Sequence, residues 1–281
     1  MVKIMFAKEL NDYLQNRLIQ IKDYFFLALQ KYDPEAIHEL RVAIKHLKAF
    51  YNLLESIDPE FKGRKKFRAF KEISVNTCTL RDIQVQRDLI KKTKTVLQLS
   101  IRDYEIYLKK KEQEEYGKFR DSTEGKPVKK SLKSYKVTPK GFENFSPDLV
   151  VEKARTHLEA QRIELIQLVK KNEPSETVLH NIRILSKEMH FTMEIVKQCF
   201  DLLQDRSVFI KEIKKLHQLI GKWHDYDVSL ICLSDFFKSR HPDLPSPNYA
   251  KLREHLLKEK EKLSRKLPKV IEKFIQSAQP F

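Results

Sequence analysis

Residues 38–54 read HELRVAIKHLKAFYNLL, and residues 180–196 read HNIRILSKEMHFTMEIV. At about 100° per residue, Leu40, Ile44, Leu47, Tyr51 and Leu54 gather on one side of a helix, near 160–240° from His38. His38, Arg41, Lys45 and Lys48 occupy a separate arc of roughly 80°, about 15 Å long. The second stretch repeats the division, with Ile182, Met189, Met193 and Val196 on one face and His180, Arg183, Lys187 and His190 on the other. Each stretch therefore predicts a helix with a core face and a basic face.

The two stretches agree position by position. His38 matches His180, Arg41 matches Arg183, Lys45 matches Lys187 and Leu47 matches Met189, all 142 positions apart. Farther on, TLRDIQV at 79–85 matches KWHDYDV at 222–228, with Asp82 and Asp225 143 apart. Two matches in the same order at nearly one offset point to internal duplication.

Composition agrees with helices. The chain has 281 residues, 41% of them hydrophobic, and only 5 glycines, which favours helix over sheet. The all-α expectation divides it into a first helical repeat at 1–116, a basic linker rich in Gly, Pro, Lys and Ser at 117–146, and a second repeat at 147–281. Helices are expected over 3–31, 35–56, 59–79 and from Asp82 to Tyr116. In the second half they are expected over 147–172, 174–203 and 207–220, from Asp225 to the prolines near 242, and over 249–275. Cys78, Cys199 and Cys232 form no CxxC pair and read as buried free thiols, which suits a reducing compartment. No apolar run reaches the length of a membrane span or a signal sequence, so a soluble cytoplasmic protein is expected.

With 55 Lys plus Arg against 39 Asp plus Glu, the net charge is +16, which favours polyanionic partners. A solvated basic face is the plain alternative for either stripe alone. Against it, the stripe has no acid at i+3 or i+4 within it, mixes His with Arg, and occurs twice. Arg forks take phosphate oxygens through paired donors, and Lys adds point charge. Four such groups in a line suit a linear phosphate polymer better than one small ligand. Nucleic acid fits the charge less well, because no exposed aromatics are arranged for base stacking. Asp82 and Asp225 read as helix N-caps that also steady a neighbouring stripe arginine. His224-Asp225 alone is too little for a metal phosphohydrolase, and no P-loop, GxGxxG or HExxH motif is present. No cofactor and no metal are expected.

The pattern HxxRVxxKxLK, its echo HxxRIxxKxMH and the RD and HD pairs downstream resemble the CHAD family, the conserved histidine α-helical domain. TCTLRD stands where the family usually has LGxxRD, with Cys78 at the glycine; IGKWHD keeps it as Gly221. The resemblance covers about residues 5–275. It implies two helical bundles related by a pseudo-twofold axis, enclosing a basic channel that binds inorganic polyphosphate. It implies channel residues His38, Arg41, Lys45, Lys48, Arg81, His180, Arg183, Lys187 and His190. The ExExK motif of the triphosphatase domain that often accompanies the family is absent, so a stand-alone module without catalysis is expected, associated with polyphosphate granules. Because His190 answers Lys48 and His224 answers Arg81, the first half is expected to carry more of the affinity.

Overall fold

The computed structural model describes residues 2–123, 146–170, 175–200, 203–239 and 247–281, with side chains from residue 8 onward. Asp33 starts the decisive helix. Its carboxylate accepts the Glu35 N–H at 2.9 Å, and Pro34 fills the first helical position, where a missing N–H costs nothing. The helix ends at Asp58, whose N–H bonds Leu54 O while its carboxylate accepts from Glu60 N and opens a 3₁₀ turn, Pro59–Phe61. The chain then turns back through Lys62, at φ 50°, into Gly63. A Cβ on Gly63 would stand 3.1 Å from Tyr51 O, so the next helix approaches this one as closely as only glycine allows.

Nine α-helices are present among the described residues: α1 Val2–Lys31, α2 Pro34–Ile57, α3 Gly63–Asn76, α4 Cys78–Leu97, α5 Arg102–Thr123, α6 Pro147–Val169, α7 Glu176–Phe200, α8 Ser207–Ser239 and α9 Pro247–Ser277. Both stretches that carry the stripes are helical, as α2 and α7. The expected helix over 59–79 is a 3₁₀ turn followed by α3, and α4 has already begun at Cys78. The expected helix from Asp82 to Tyr116 is instead broken at Gln98, whose φ of 50° ends α4. Gly221 does not stop its helix: α8 runs through it, so Asp225 lies inside α8 as Asp82 lies inside α4. Neither aspartate is an N-cap. The linker expected at 117–146 falls mostly on 124–145, outside the described residues; its first positions, 117–123, complete α5.

Two apolar clusters hold the helices together, and neither belongs to one half of the chain. The larger joins α1 and α2 (Leu14, Ile21, Leu40, Leu47) to α6, α7 and α8 (Leu158, Ile182, Met189, Leu216). The smaller joins Ile90, Tyr104 and Leu108 of α4 and α5 to Leu233, Leu252 and Leu256 of α8 and α9. Each such side chain contributes about 1.5–3 kcal/mol on full burial, so the halves are locked by the same term that folds them. Gln86 and Ser229, 143 positions apart, meet across α4 and α8: the Ser229 hydroxyl donates to Gln86 Oε1 at 2.5 Å. No helix among the described residues is long and apolar enough to cross a membrane. The thiols are free, but only Cys199 is buried; Cys78 is exposed and Cys232 is in between, contrary to the expectation for all three.

Candidate anion-binding site

α2 and α7 pack against each other, which brings the two basic faces together. Lys45 and Lys187, the equivalent lysines of the two stretches, are close enough to act on each other's amines. Arg41 and Arg183 act on both. Four cations thus share one small volume. Burial pushes the Lys45 amine down to about 7, and Lys187, Arg41 and Arg183 push it in the same direction. Lys187 is lowered by burial and by the two arginines as well. An arrangement that makes its own ammonium groups hard to charge is electrostatically incomplete without an anion.

The two arginines differ. Arg41 is 9% exposed; its Nη1 donates to Ser74 O at 2.5 Å and Thr77 Oγ1 at 3.1 Å, and Nη2 lies 3.6 Å from Cys78 Sγ. It therefore ties α2 to the end of α3, and reversing its charge would remove a structural bond along with a binding one. Arg183 makes no such carbonyl bond among the described residues. Instead it lies over Gly221, where an added Cβ would stand 3.7 Å from Nε. That is an ordinary contact distance, so Gly221 sits beside Arg183 inside the helix without being required for space. Its counterpart is Cys78, whose sulfur touches Arg41.

Around these four, the other expected residues divide. Arg81 is among the charges acting on His38, whose imidazole is held below its usual range by burial and then by that guanidinium. The His180 and His224 rings stand 5.9 Å apart and line, with Arg183, a cavity of about 280 Å³. Burial and Arg183 lower His224. Asp225 lies among Arg183, Arg81 and Lys187; burial raises its carboxyl to about 6 against the pull of Arg183. Asp82 acts on both Asp225 and His224, so the two aspartates lie near each other beside the cluster rather than capping helices.

Lys48 and His190 do not extend the stripe in the expected way. The ammonium of Lys48 is 3.0 Å from Glu188, which also accepts from Asn52 at 2.6 Å. Reading α2 alone for acids at i+3 and i+4 misses a carboxylate delivered by α7. His190 is 6% exposed, packs against His217 at 5.1 Å between ring centres, and is pushed down to about 4 by burial and nearby Lys214. It is a neutral core residue. At the start of α2, His38 stands between Glu35 and Glu39, whose ligand atoms and its own lie within 4.8 Å of one another on an exposed helix end.

The sequence reading also missed two cations. Arg64 and Lys71, seven apart on one face of α3, join Lys45 and Lys48 in lining a cavity of about 660 Å³ between α2 and α3. Among the described residues no carboxylate lines it. The seven-residue spacing was visible in the sequence. That α3 turns this face toward the α2 lysines depended on the tight return at Gly63.

The family model for the CHAD domain matches residues 12–234. Among solved structures, the fold is similar to that of the crystal structure of the CHAD domain from the plant Ricinus communis, at 14% identity and a TM-score of 0.69, with 95% of this chain and 91% of that chain covered. It is also similar to PptA from Streptomyces chartreusis, at 13% identity and a TM-score of 0.61, covering 96% of this chain and 98% of that one. No curated protein matches. With the repeated stripes on α2 and α7 and a family match across both, the chain belongs to the CHAD domain family.

Proposed function

We propose that the chain binds inorganic polyphosphate on the Lys45–Lys187–Arg41–Arg183 cluster, as a binding module without catalysis. The observation that carries this reading is the cluster itself. Like charges gathered in a half-buried place cost folding energy, and a fold that keeps them has a use for a polyanion there. A chain of phosphates supplies repeated oxygens to successive cations, and each charge-assisted bond contributes about 1.5–3 kcal/mol net.

A pseudo-twofold relation between the halves would fit the same reading: Ser229 bonds Gln86 and Lys187 acts on Lys45, as equivalent residues would beside a twofold axis. A polyphosphate chain lying along that axis would meet matching cations in both directions. Because Arg41 is committed to Ser74 and Lys48 to Glu188, Arg183 and Lys187 carry much of the recognition from the second half. This reverses the expectation that the first half dominates. Nucleic acid is the second reading; Phe191 beside Lys187 and Trp223 beside Arg183 are only 8% and 6% exposed, which leaves the half-buried Phe67 of the α2–α3 cavity as the aromatic a base could meet. A cytoplasmic, granule-associated location follows from the polyphosphate reading.

The test is a filter-binding competition between polyphosphate and single-stranded RNA of equal charge, with the natural chain and the Lys45→Met, Lys187→Met double variant. Polyphosphate should win on the natural chain, and the variant should lose about tenfold or more in affinity at unchanged helical signal. If RNA competes equally well, the polyphosphate reading is wrong.

A further inference from the structure

Lys45 stands where two features meet. On one side is the like-charge cluster. On the other is the cavity of about 660 Å³ between α2 and α3, lined by Lys45, Lys48, Arg64 and Lys71 with no carboxylate among the described residues. The two α2 lysines on this wall differ in one respect. Lys48 pairs with Glu188 at 3.0 Å. Lys45 has Lys187, Arg41 and Arg183 as its principal charged neighbours and no acid among them. One wall therefore offers an amine whose proton is loosely held and, beside it, fixed cations able to hold a phosphate group.

We propose that Lys45 is a site of acyl transfer from small acyl phosphates, which enter the α2–α3 cavity phosphate first. Arg64 and Lys71 hold the phosphoryl oxygens, and the neutral Lys45 amine attacks the carbonyl carbon. A C–N bond forms while the bond from the carbonyl carbon to the bridging oxygen breaks. Inorganic phosphate leaves with that oxygen's electron pair, stabilised by the same cations, and the amine gives one proton to solvent. The product is an uncharged amide at the centre of the cluster. The reaction happens once per lysine and needs no oxidant or reductant. Its consequence, weakened polyanion binding, rests on the polyphosphate reading; the acylation itself does not.

The experiment incubates the full chain near pH 7 with acetyl phosphate, or with the uncharged ester p-nitrophenyl acetate, and follows each lysine by peptide mass spectrometry. Near pH 7 the neutral fraction of Lys45 exceeds that of an ordinary lysine by orders of magnitude, so even with its lower nucleophilicity it should react at least about tenfold faster than Lys48 with acetyl phosphate. The ratio should be smaller with the uncharged ester. Equal rates at Lys45 and Lys48 with acetyl phosphate would overturn the inference. So would the same ratio with both reagents, since phosphate would then play no part. Inorganic triphosphate, added as competitor, separates this from the binding reading. Protection of Lys45 supports both. Preferential acylation without protection leaves the acyl-transfer site standing and counts against polyphosphate at the cluster. Protection without preferential acylation does the reverse.

Discussion

Glu188 follows Lys187 directly in α7 and reaches across to take Lys48 out of the anion-binding set. The pair is partly exposed, so it contributes at most about 1 kcal/mol to stability. Its larger effect is on charge: one carboxylate sits beside a stripe that otherwise repels its own protons. Glu188→Gln keeps an acceptor for Asn52 and frees the Lys48 ammonium for a phosphate. Affinity for polyphosphate should rise roughly three- to tenfold, the lower end of a charge-assisted contact after discounting for exposure. Thermal midpoint should change little. A competition measurement showing unchanged affinity would place Lys48 outside the path of the ligand.

At the scale of elements, α2, α7 and α8 meet around three histidines, His46, His190 and His217. His46 is pushed down to about 3 by burial and by Arg17. His217 is pushed to about 3 by burial and by His190, and His190 itself to about 4. All three are neutral in the fold, whereas in the unfolded chain they titrate near 6.5. Below that pH the unfolded state takes up protons first, so the stability they support is full above about 6.5 and drains as pH falls toward 4 and 3. Each histidine contributes a slope of up to about 1.4 kcal/mol per pH unit. Glu194, 3.8 Å from both His46 and His190, offsets part of it, because burial holds its carboxyl above the usual range. The urea midpoint should therefore be lower at pH 5 than at pH 7.5, and His217→Leu should flatten the difference. Identical midpoints for the natural chain would refute the buried-neutral assignment. The same elements show what the sequence could reveal. Period and composition placed α2 and α7, their apolar faces and the four central cations, because those depend on spacing within one helix. His190 was misplaced because its burial comes from His217 on another helix. Gly221 resembled a helix stop, yet one helical glycine costs only about 1 kcal/mol and the packed helix runs through it. Asp82 and Asp225 resembled caps because a helix was expected to end just before each.

At the scale of the molecule, the net charge of +16 overstates what a ligand meets. Much of the basic surface is answered locally, as on α9, where Lys258 pairs with Glu254, Lys262 with Glu259 and Arg265 with Glu261. Near α2, α3 and α7, Lys45, Lys187 and Arg183, with Arg64 and Lys71 along the adjoining cavity, form no ion pair among the described residues. Salt dependence distinguishes a local site from diffuse attraction, because it counts the phosphates neutralised. For a flexible single-chain polyanion each contributes a slope of about −0.7, so five or six contacts predict a log–log slope of about −3.5 to −4. Attraction by the whole net charge would give roughly −11. A flat response would mean a small ligand enclosed away from solvent ions. Arg64→Gln with Lys71→Gln should shorten the slope by about 1.4 if the cavity continues the phosphate path. If that double variant leaves the slope of the natural chain unchanged, the polyphosphate ends at the central cluster and the α2–α3 cavity serves smaller anions alone.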